Sequence, residues 1–315
     1  MNPTAVRIRR IIMRLALFVA ALGLAPSGAR AVASPDGACR ESSVNELRSC
    51  KHEARAAYAL TLATCSNLAD AAARRKCKAQ AKRDRSAAME ECQAQLEARL
   101  ELCDQLGEDP YDPAIDPARV VAVIDNPYLP MAPGTRFVYD SEDGSEREVL
   151  VVTRATKVIV GVTCVEVRDT VVSGGQVTED TFDWFAQDVD GNVWYFGEHT
   201  EQYDDGELVG LEGSWQAGVD GAKPGIVMKA SRNVGDVYRQ EFGPGVAEDA
   251  AEILSLSESV VVPFGAFDNC VETKDFSPLE PDAVEHKYYA TGIGVVLTID
   301  LDTGEVMELV SVSTD

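Results

Sequence analysis

The chain has 315 residues, of which 45 % are hydrophobic, so it is long enough to form two domains with buried cores. Its net charge of −23 is unevenly distributed: residues 107–315 hold forty-one acidic and twelve basic residues, whereas residues 38–106 hold ten acidic and twelve basic residues. An acidic surface of this size repels nucleic acid and anionic membranes, which argues against both as partners of the larger region. A solvated acidic surface, or diffuse attraction of cations, accounts for the charge.

Residues 1–31 have the features of a secretory signal peptide. Four arginines accompany an apolar run at residues 15–25, which is shorter than the roughly 20 residues that a bilayer core requires. Small residues then provide a cleavage site near Ala31 or Ala33. We therefore expect a secreted or periplasmic protein that has no transmembrane segment after processing. The alternative is an uncleaved membrane anchor.

Six cysteines in residues 38–106 predict an antiparallel helical hairpin that is stapled by disulfides. The segment lacks proline and glycine and is rich in residues that favour helices. Consecutive cysteines are separated by 11, 15, 12, 15 and 11 positions, so each half places its three cysteines on one face of a helix. Because these spacings form a palindrome, folding near residue 71 brings the cysteines level in pairs, with Asn67 and Asp70 in the turn. The predicted bridges are Cys39–Cys103, Cys50–Cys92 and Cys65–Cys77.

The nested bridges resemble those of the α-hairpinin and twin-CX9C helical hairpins, although the spacings here are CX10C and CX14C, so the resemblance is one of topology. A different arrangement stays open, in which one long helix uses the same cysteines to crosslink a second chain. The spacing does not match zinc or haem sites. A basic cluster follows the turn and either is solvated or contacts an acidic surface: Arg74, Arg75, Lys76, Lys78, Lys82, Arg83 and Arg85.

Residues 107–125 are rich in proline and acidic residues, which predicts a linker. From residue 126 to residue 315, short runs of valine, threonine and aromatic residues alternate with turn dipeptides such as Asp143-Gly144 and Asp205-Gly206. This pattern predicts an acidic antiparallel β-meander that forms a strongly curved sheet or open barrel. The predicted fold class is therefore α+β in two parts, a helical hairpin followed by a β-domain.

Four segments of the β-domain resemble a group of secreted bacterial β-domain proteins of unknown activity. The segments are NPYLPMAPGTRFVYD (126–140), DTFDWFAQDVDGNVWYFGE (180–198), SVVVPFGAFDNCVET (259–273) and EHKYYATGIGVV (285–296). The resemblance covers roughly residues 126–300 and excludes the cysteine hairpin. It implies an all-β fold and a bacterial envelope location, and it implies no catalytic residues.

Candidates for chemistry are few. The chain has three histidines, and it lacks the common hydrolase, metalloprotease, phosphate-binding and dinucleotide-binding motifs. If the protein is an enzyme, His286 is the best general-base candidate, because the carboxylate of Glu285 could orient its ring. Asp188 and Asp190 are weak candidates for a divalent cation, but a hairpin turn explains them better. The sequence indicates no cofactor.

Aromatic residues are concentrated on two adjacent predicted strands. Trp184, Trp194 and Phe196 are candidates to bind a small apolar ligand, although ordinary core packing is the default explanation. Cys164 and Cys270 both lie in predicted strands and either form a disulfide across the sheet or are buried thiols.

These observations favour a non-enzymatic binding or interaction protein whose β-domain binds a partner or a small apolar ligand. The first alternative is a hydrolase-type enzyme with its site in the β-domain cavity, and the second is a purely structural envelope protein. A hydrolase would place His199 or His286 in a deep cleft beside an acid and a nucleophile. A binding module would show an apolar cavity without that cluster.

Overall fold

The computed structural model describes residues 37–314, which form two compact units at residues 37–111 and 112–314. The predicted signal peptide and its cleavage site near Ala31 or Ala33 lie outside the described residues. None of the helices in residues 37–314 has the length and apolar character required to span a membrane.

The first unit is a helical hairpin. Helix α1 spans Ala38–Ser66 and helix α2 spans Ala71–Leu106. The side chain of Asp70 accepts a hydrogen bond from the backbone N–H of Ala73, which caps the start of α2. Three disulfides join the helices with Cα–Cα distances of 5.8, 5.8 and 5.5 Å, in the pairs that the palindromic spacing predicts: Cys39–Cys103, Cys50–Cys92 and Cys65–Cys77. The prediction of a disulfide-stapled antiparallel hairpin is confirmed.

The apolar core of the hairpin is small, which explains why it needs three bridges. Its buried cluster consists of Leu47, Cys92 and Leu96, with a few half-buried neighbours. A buried ion pair of 2.6 Å between Arg99 Nε and Glu46 Oε2 lies in the same part of the hairpin. Since burial of apolar area contributes about 25 cal/mol per Å², so few apolar side chains give the hairpin little hydrophobic stabilisation.

The second unit is a β-structure of sixteen strands. A 3-10 helix at Pro117–Arg119 leads into the first strand, which pairs with β5. The strands are β1 Val120–Val121, β2 Thr135–Ser141, β3 Glu146–Ile159, β4 Val162–Ser173, β5 Gln176–Asp188, β6 Val193–Asp204, β7 Glu207–Gly210, β8 Trp215–Gln216, β9 Lys223–Met228, β10 Val237–Arg239, β11 Glu241–Phe242, β12 Ala250–Val262, β13 Gly265–Ser277, β14 Glu280–Ala290, β15 Gly294–Asp300 and β16 Val306–Thr314.

The strands form one antiparallel sheet that is nearly closed and barrel-shaped. Its order is β10-β12-β13-β14-β15-β16-β2-β3-β4-β5-β6-β9-β11, and β1, β7 and β8 pair with β5 or β6 at the side of this path. The last strand, β16, pairs with β2, so the two ends of the β-unit meet within the sheet. The predicted fold class is therefore confirmed.

Of the two interpretations of Cys164 and Cys270, a disulfide across the sheet is not formed. Cys164 lies on β4 and Cys270 on β13, and both are free, buried thiols. Five strands separate β4 from β13 in the sheet, and the two residues belong to different apolar clusters. Each thiol therefore fills space in its own part of the core, which was the alternative interpretation.

Candidate functional site

The β-unit contains a cavity of about 320 Å³. Strands β2 to β6 form one wall and strands β13 to β15 the other. The cavity has an apolar part lined by Leu129, Phe137, Leu150, Val167, Phe185 and Val295, and a polar part rich in carboxyl groups. Such a volume and mixed lining are typical of sites for small molecules.

Strand alternation explains how polar and apolar residues reach the same cavity. Successive side chains of a strand point to opposite faces, and residues that pair directly across two strands share a face. Leu150 on β3 pairs with Asp169 on β4, and Val167 on β4 pairs with Asp183 on β5. Each pair thus contributes one apolar and one acidic side chain to the interior.

A tyrosine between two carboxyl groups forms the first polar cluster. The hydroxyl of Tyr195 lies 2.6 Å from Asp183 Oδ1 and 2.7 Å from Glu198 Oε2. The hydroxyl has one proton, so it donates to only one of these carboxylates at a time. The ring of Tyr195 stacks on Phe185 at a centroid distance of 4.8 Å, which places an aromatic surface next to the acidic pair.

A β-bulge gives Tyr195 this position. Trp184 pairs with Gly197, whereas the next residue, Phe185, pairs with Tyr195, so Phe196 is an extra residue in β6. Gly197 has a φ of +135°, and a Cβ atom there would lie 2.4 Å from the carbonyl oxygen of Trp215. A glycine is therefore required where β8 approaches the bulge.

A lysine surrounded by carboxyl groups forms the second polar cluster. Lys287 Nζ lies 3.1 Å from Asp275 Oδ2 and 3.3 Å from Glu285 Oε2. Asp275 also accepts hydrogen bonds from Thr273 Oγ1 at 2.6 Å and from Gln240 Nε2 at 3.0 Å. Burial on its own would lower the pKa of Lys287, but Asp275 and Glu285 outweigh burial and raise that pKa well above its usual value.

Asp249 completes the second cluster. Its side chain lines the cavity, and burial raises its pKa to about 6. A hydrogen bond with Ser277 and the charge of Lys287 oppose the rise, while Asp275 and Glu285 add to it. The carboxyl group of Asp249 therefore gains or loses its proton near pH 6.

The histidine candidates lie away from the cavity lining. His286 and Glu285 are adjacent on β14 and so point to opposite faces of the sheet, with Glu285 inside. His286 Nδ1 lies 2.9 Å from Glu272 Oε1, which also accepts a hydrogen bond from the Tyr288 hydroxyl at 2.8 Å. Glu272, and not Glu285, is therefore the carboxylate that orients the His286 ring. His199 is partly exposed beside Glu201.

The acidic turn at Asp188 is held by its own hydrogen bonds. Asp188 accepts from the indole N–H of Trp194 at 2.8 Å and from the side chain of Asn192 at 2.8 Å. Burial tends to raise the pKa of Asp188, but these hydrogen bonds and those from two backbone N–H groups lower it below its usual value. Asp190 pairs with Arg119 at 2.7 Å. Within residues 37–314, no group of three or more acidic, histidine or cysteine side chains is arranged to hold a metal ion.

The structure places the three predicted ligand-binding aromatic residues in the protein core or beside it. Trp184 and Phe196 are buried and Trp194 is half-buried, and none of the three is among the described residues that line the cavity. Their neighbours Phe185 and Tyr195 line it instead. Strand alternation in the sequence separates the two sets, but the sequence does not indicate which set faces inward.

The basic cluster of the hairpin lies at the start of α2. Arg74 donates hydrogen bonds of 2.6 and 2.7 Å to the backbone oxygens of Leu68 and Ala69, so it closes the turn of the hairpin. The Arg85 guanidinium lies 4.6 Å from the centre of the Tyr58 ring. The other members are exposed: Arg75, Lys76, Lys78, Lys82 and Arg83.

Comparisons with known proteins give little beyond this geometry. No protein-family model matches the chain, and no curated protein matches it. A crystal structure of a "putative lipoprotein" from Parabacteroides distasonis ATCC 8503 is similar at 14 % sequence identity and a TM-score of 0.34, covering 59 % of this chain and 98 % of that one. Because a TM-score this low does not establish a shared fold, the functional argument depends on the cavity of the β-unit.

Proposed function

We propose that the protein is a non-enzymatic binding protein outside the cytoplasm, whose β-unit holds a small ligand with an apolar body in its internal cavity. The observation that carries the proposal is the cavity of about 320 Å³ with its apolar wall. Small-molecule sites are typically concave, largely apolar and supplied with a few polar groups that orient the ligand. The three disulfides are compatible with a location outside the cytoplasm.

The positions of the histidines favour binding over histidine-dependent hydrolysis. Such an enzyme needs a histidine beside an acid and a nucleophile at the place where substrate binds. Among the described residues, His286 pairs with Glu272 on the opposite face of β14 from the cavity residue Glu285. The cavity contributes carboxyl, tyrosine and lysine groups to ligand binding, but no histidine of residues 37–314.

In this proposal the chain has four parts: a signal peptide at residues 1–31, the hairpin at 38–106, a linker at 107–125 and the β-domain at 126–315. The hairpin is a stapled element that presents or anchors the β-domain. Its exposed basic residues are suited to contact an acidic protein surface, because opposite charges steer association.

A fluorescent probe tests the proposal directly. N-phenyl-1-naphthylamine is uncharged near neutral pH and brightens in apolar sites, so we expect saturable binding to the full chain. Leu150→Trp fills the cavity from β3 and should weaken this binding at least about tenfold, which is about 1.4 kcal/mol. The matched control is Val149→Trp, which adds the same side chain on the opposite face of β3. If Leu150→Trp binds the dye as tightly as Val149→Trp and the unaltered protein do, the cavity is not the binding site.

A further inference from the structure

The lining of the cavity is unusually acidic. Among its described residues, eight are aspartate or glutamate, one is lysine, and neither arginine nor histidine occurs. Two groups of carboxyls belong to the lining, one around Tyr195 and one around Lys287. Lys287, which contacts two of these carboxylates, is the one basic residue among the described residues of the lining.

A lining with eight carboxyl groups makes the cavity chemically selective. Charges interact more strongly when protein walls exclude water, so an anionic ligand in the cavity would be repelled by several carboxylates at once. A neutral ligand would gain only from the apolar wall. A cation would gain from both parts of the cavity, because the carboxylates also attract it.

A buried tyrosine gives an independent indication of a hydrogen-bonding ligand. Tyr238 is 8 % exposed, and its hydroxyl makes no hydrogen bond to any group within residues 37–314. Tyr238 pairs with Ala251, which pairs with Asp275, so strand register directs its side chain to the face that carries the cavity residue Asp275. Tyr238 is not among the described residues that line the cavity, but a buried hydroxyl without a partner is costly, and a donor that reached past Asp275 would satisfy its oxygen.

The aromatic part of the lining suits the same ligand. The stacked rings of Phe185 and Tyr195 lie next to Asp183 and Glu198. Aromatic faces attract ammonium groups, and this attraction strengthens when the ammonium is desolvated. The apolar side chains of Leu150 and Val167 continue the wall on β3 and β4.

We propose that the cavity binds a small organic cation: an amine whose ammonium group lies beside the carboxyl groups of Asp183 and Glu198, and whose apolar body packs against Phe185, Leu150 and Val167. This inference rests on the proposed binding function and specifies its ligand class. An inorganic divalent cation fits less well, because residues 37–314 contain no metal-binding group of acidic, histidine or cysteine side chains.

Three probes of similar shape and different charge test the inference: 2-phenylethylamine, 2-phenylethanol and phenylacetate. Each is titrated against the full chain that holds bound N-phenyl-1-naphthylamine, near neutral pH. We expect the amine to displace the dye at least about tenfold more effectively than the alcohol, and phenylacetate to be the weakest of the three. The series uses the unaltered protein, so it decides the question even if cavity variants do not fold.

Variants then locate the ammonium group. The double variant Asp183→Asn with Glu198→Gln should weaken the amine at least about tenfold while leaving the alcohol unchanged. Retained binding of the alcohol shows that the cavity is intact. Asp220→Asn is the matched control, because it removes one exposed carboxylate from a turn with a φ of +50°, where asparagine is tolerated.

The outcomes separate this inference from the proposed function. If the alcohol or phenylacetate displaces the dye as well as the amine does, the ligand class is wrong while the cavity is still a binding site. If calcium chloride displaces the dye and the amine does not, the site takes a metal ion and the inference is overturned. If the dye binds Leu150→Trp and the unaltered protein equally, the proposed cavity site itself is wrong.

Discussion

Asp249 is a residue at which the fold changes acid–base behaviour in a measurable way. Burial raises its pKa to about 6 from its usual value of 3.8. Between these values the folded chain binds more protons than the unfolded chain, so the free energy of unfolding falls as pH rises through that window. Above about pH 6, the ionised carboxylate of Asp249 makes the folded state less stable.

Asp249→Asn removes this titration. We expect the variant to unfold with a free energy up to about 3 kcal/mol higher than the parent near neutral pH, and with a flatter pH dependence between about pH 4 and 6. Urea unfolding followed by tryptophan fluorescence measures the effect in the right unit, because all three tryptophans, at positions 184, 194 and 215, lie in the β-unit. If the free energy of unfolding of Asp249→Asn has the same pH dependence as that of the parent, the raised pKa does not belong to Asp249.

The two thiols of the core give a second residue-scale prediction. Burial raises the pKa of Cys164 to about 12, and it also raises the pKa of Cys270, helped by Asp268 and Glu258. Since the thiolate is the reactive form, iodoacetamide should label neither residue in the native protein and both in urea without reductant. Mass spectrometry of the labelled chain counts the sites. Absence of labelling in urea would mean that the two cysteines are bonded after all.

At the scale of elements, the hairpin should depend on its bridges more than on its core. Removal of the Cys50–Cys92 bridge, with the outer and inner bridges kept, gives the unfolded chain more conformational freedom. Chain entropy predicts that the free energy of unfolding of the hairpin falls by about 3 kcal/mol. Replacement of both cysteines by serine should therefore lower the urea midpoint of the helical signal at 222 nm. The tryptophan fluorescence transition of the β-unit is the internal control. Unchanged midpoints in both signals would show that the Cys50–Cys92 bridge adds no stability to that given by packing and the other two bridges.

The same elements show what the sequence could predict. The hairpin cysteines could be paired because, on a regular helix, distance along the axis follows from residue count. Whether Cys164 and Cys270 pair could not be decided from the sequence, because strand order determines which residues meet across a sheet. In that order, β4 and β13 are far apart. The inward position of Tyr195 depends on the bulge at Phe196, which leaves little trace in the alternation of residue types.

At the scale of the whole molecule, composition predicted the division into a cysteine-rich helical part and an acidic β-part, but it could not predict the cavity. The cavity is lined by strands on both sides of the place where β16 pairs with β2, which is a contact between distant parts of the chain. The excess of acidic residues was visible in the sequence as net charge. The structure shows that a share of it, eight carboxyl groups, lines the interior.

Native mass spectrometry of the protein purified from a bacterial periplasm tests the binding function most directly. We predict that the full chain carries one additional small molecule, that Leu150→Trp loses it, and that Val149→Trp keeps it. An additional mass that persists in Leu150→Trp, or three proteins that all have the mass of the chain alone, would contradict the assignment of the β-unit cavity as a ligand-binding site.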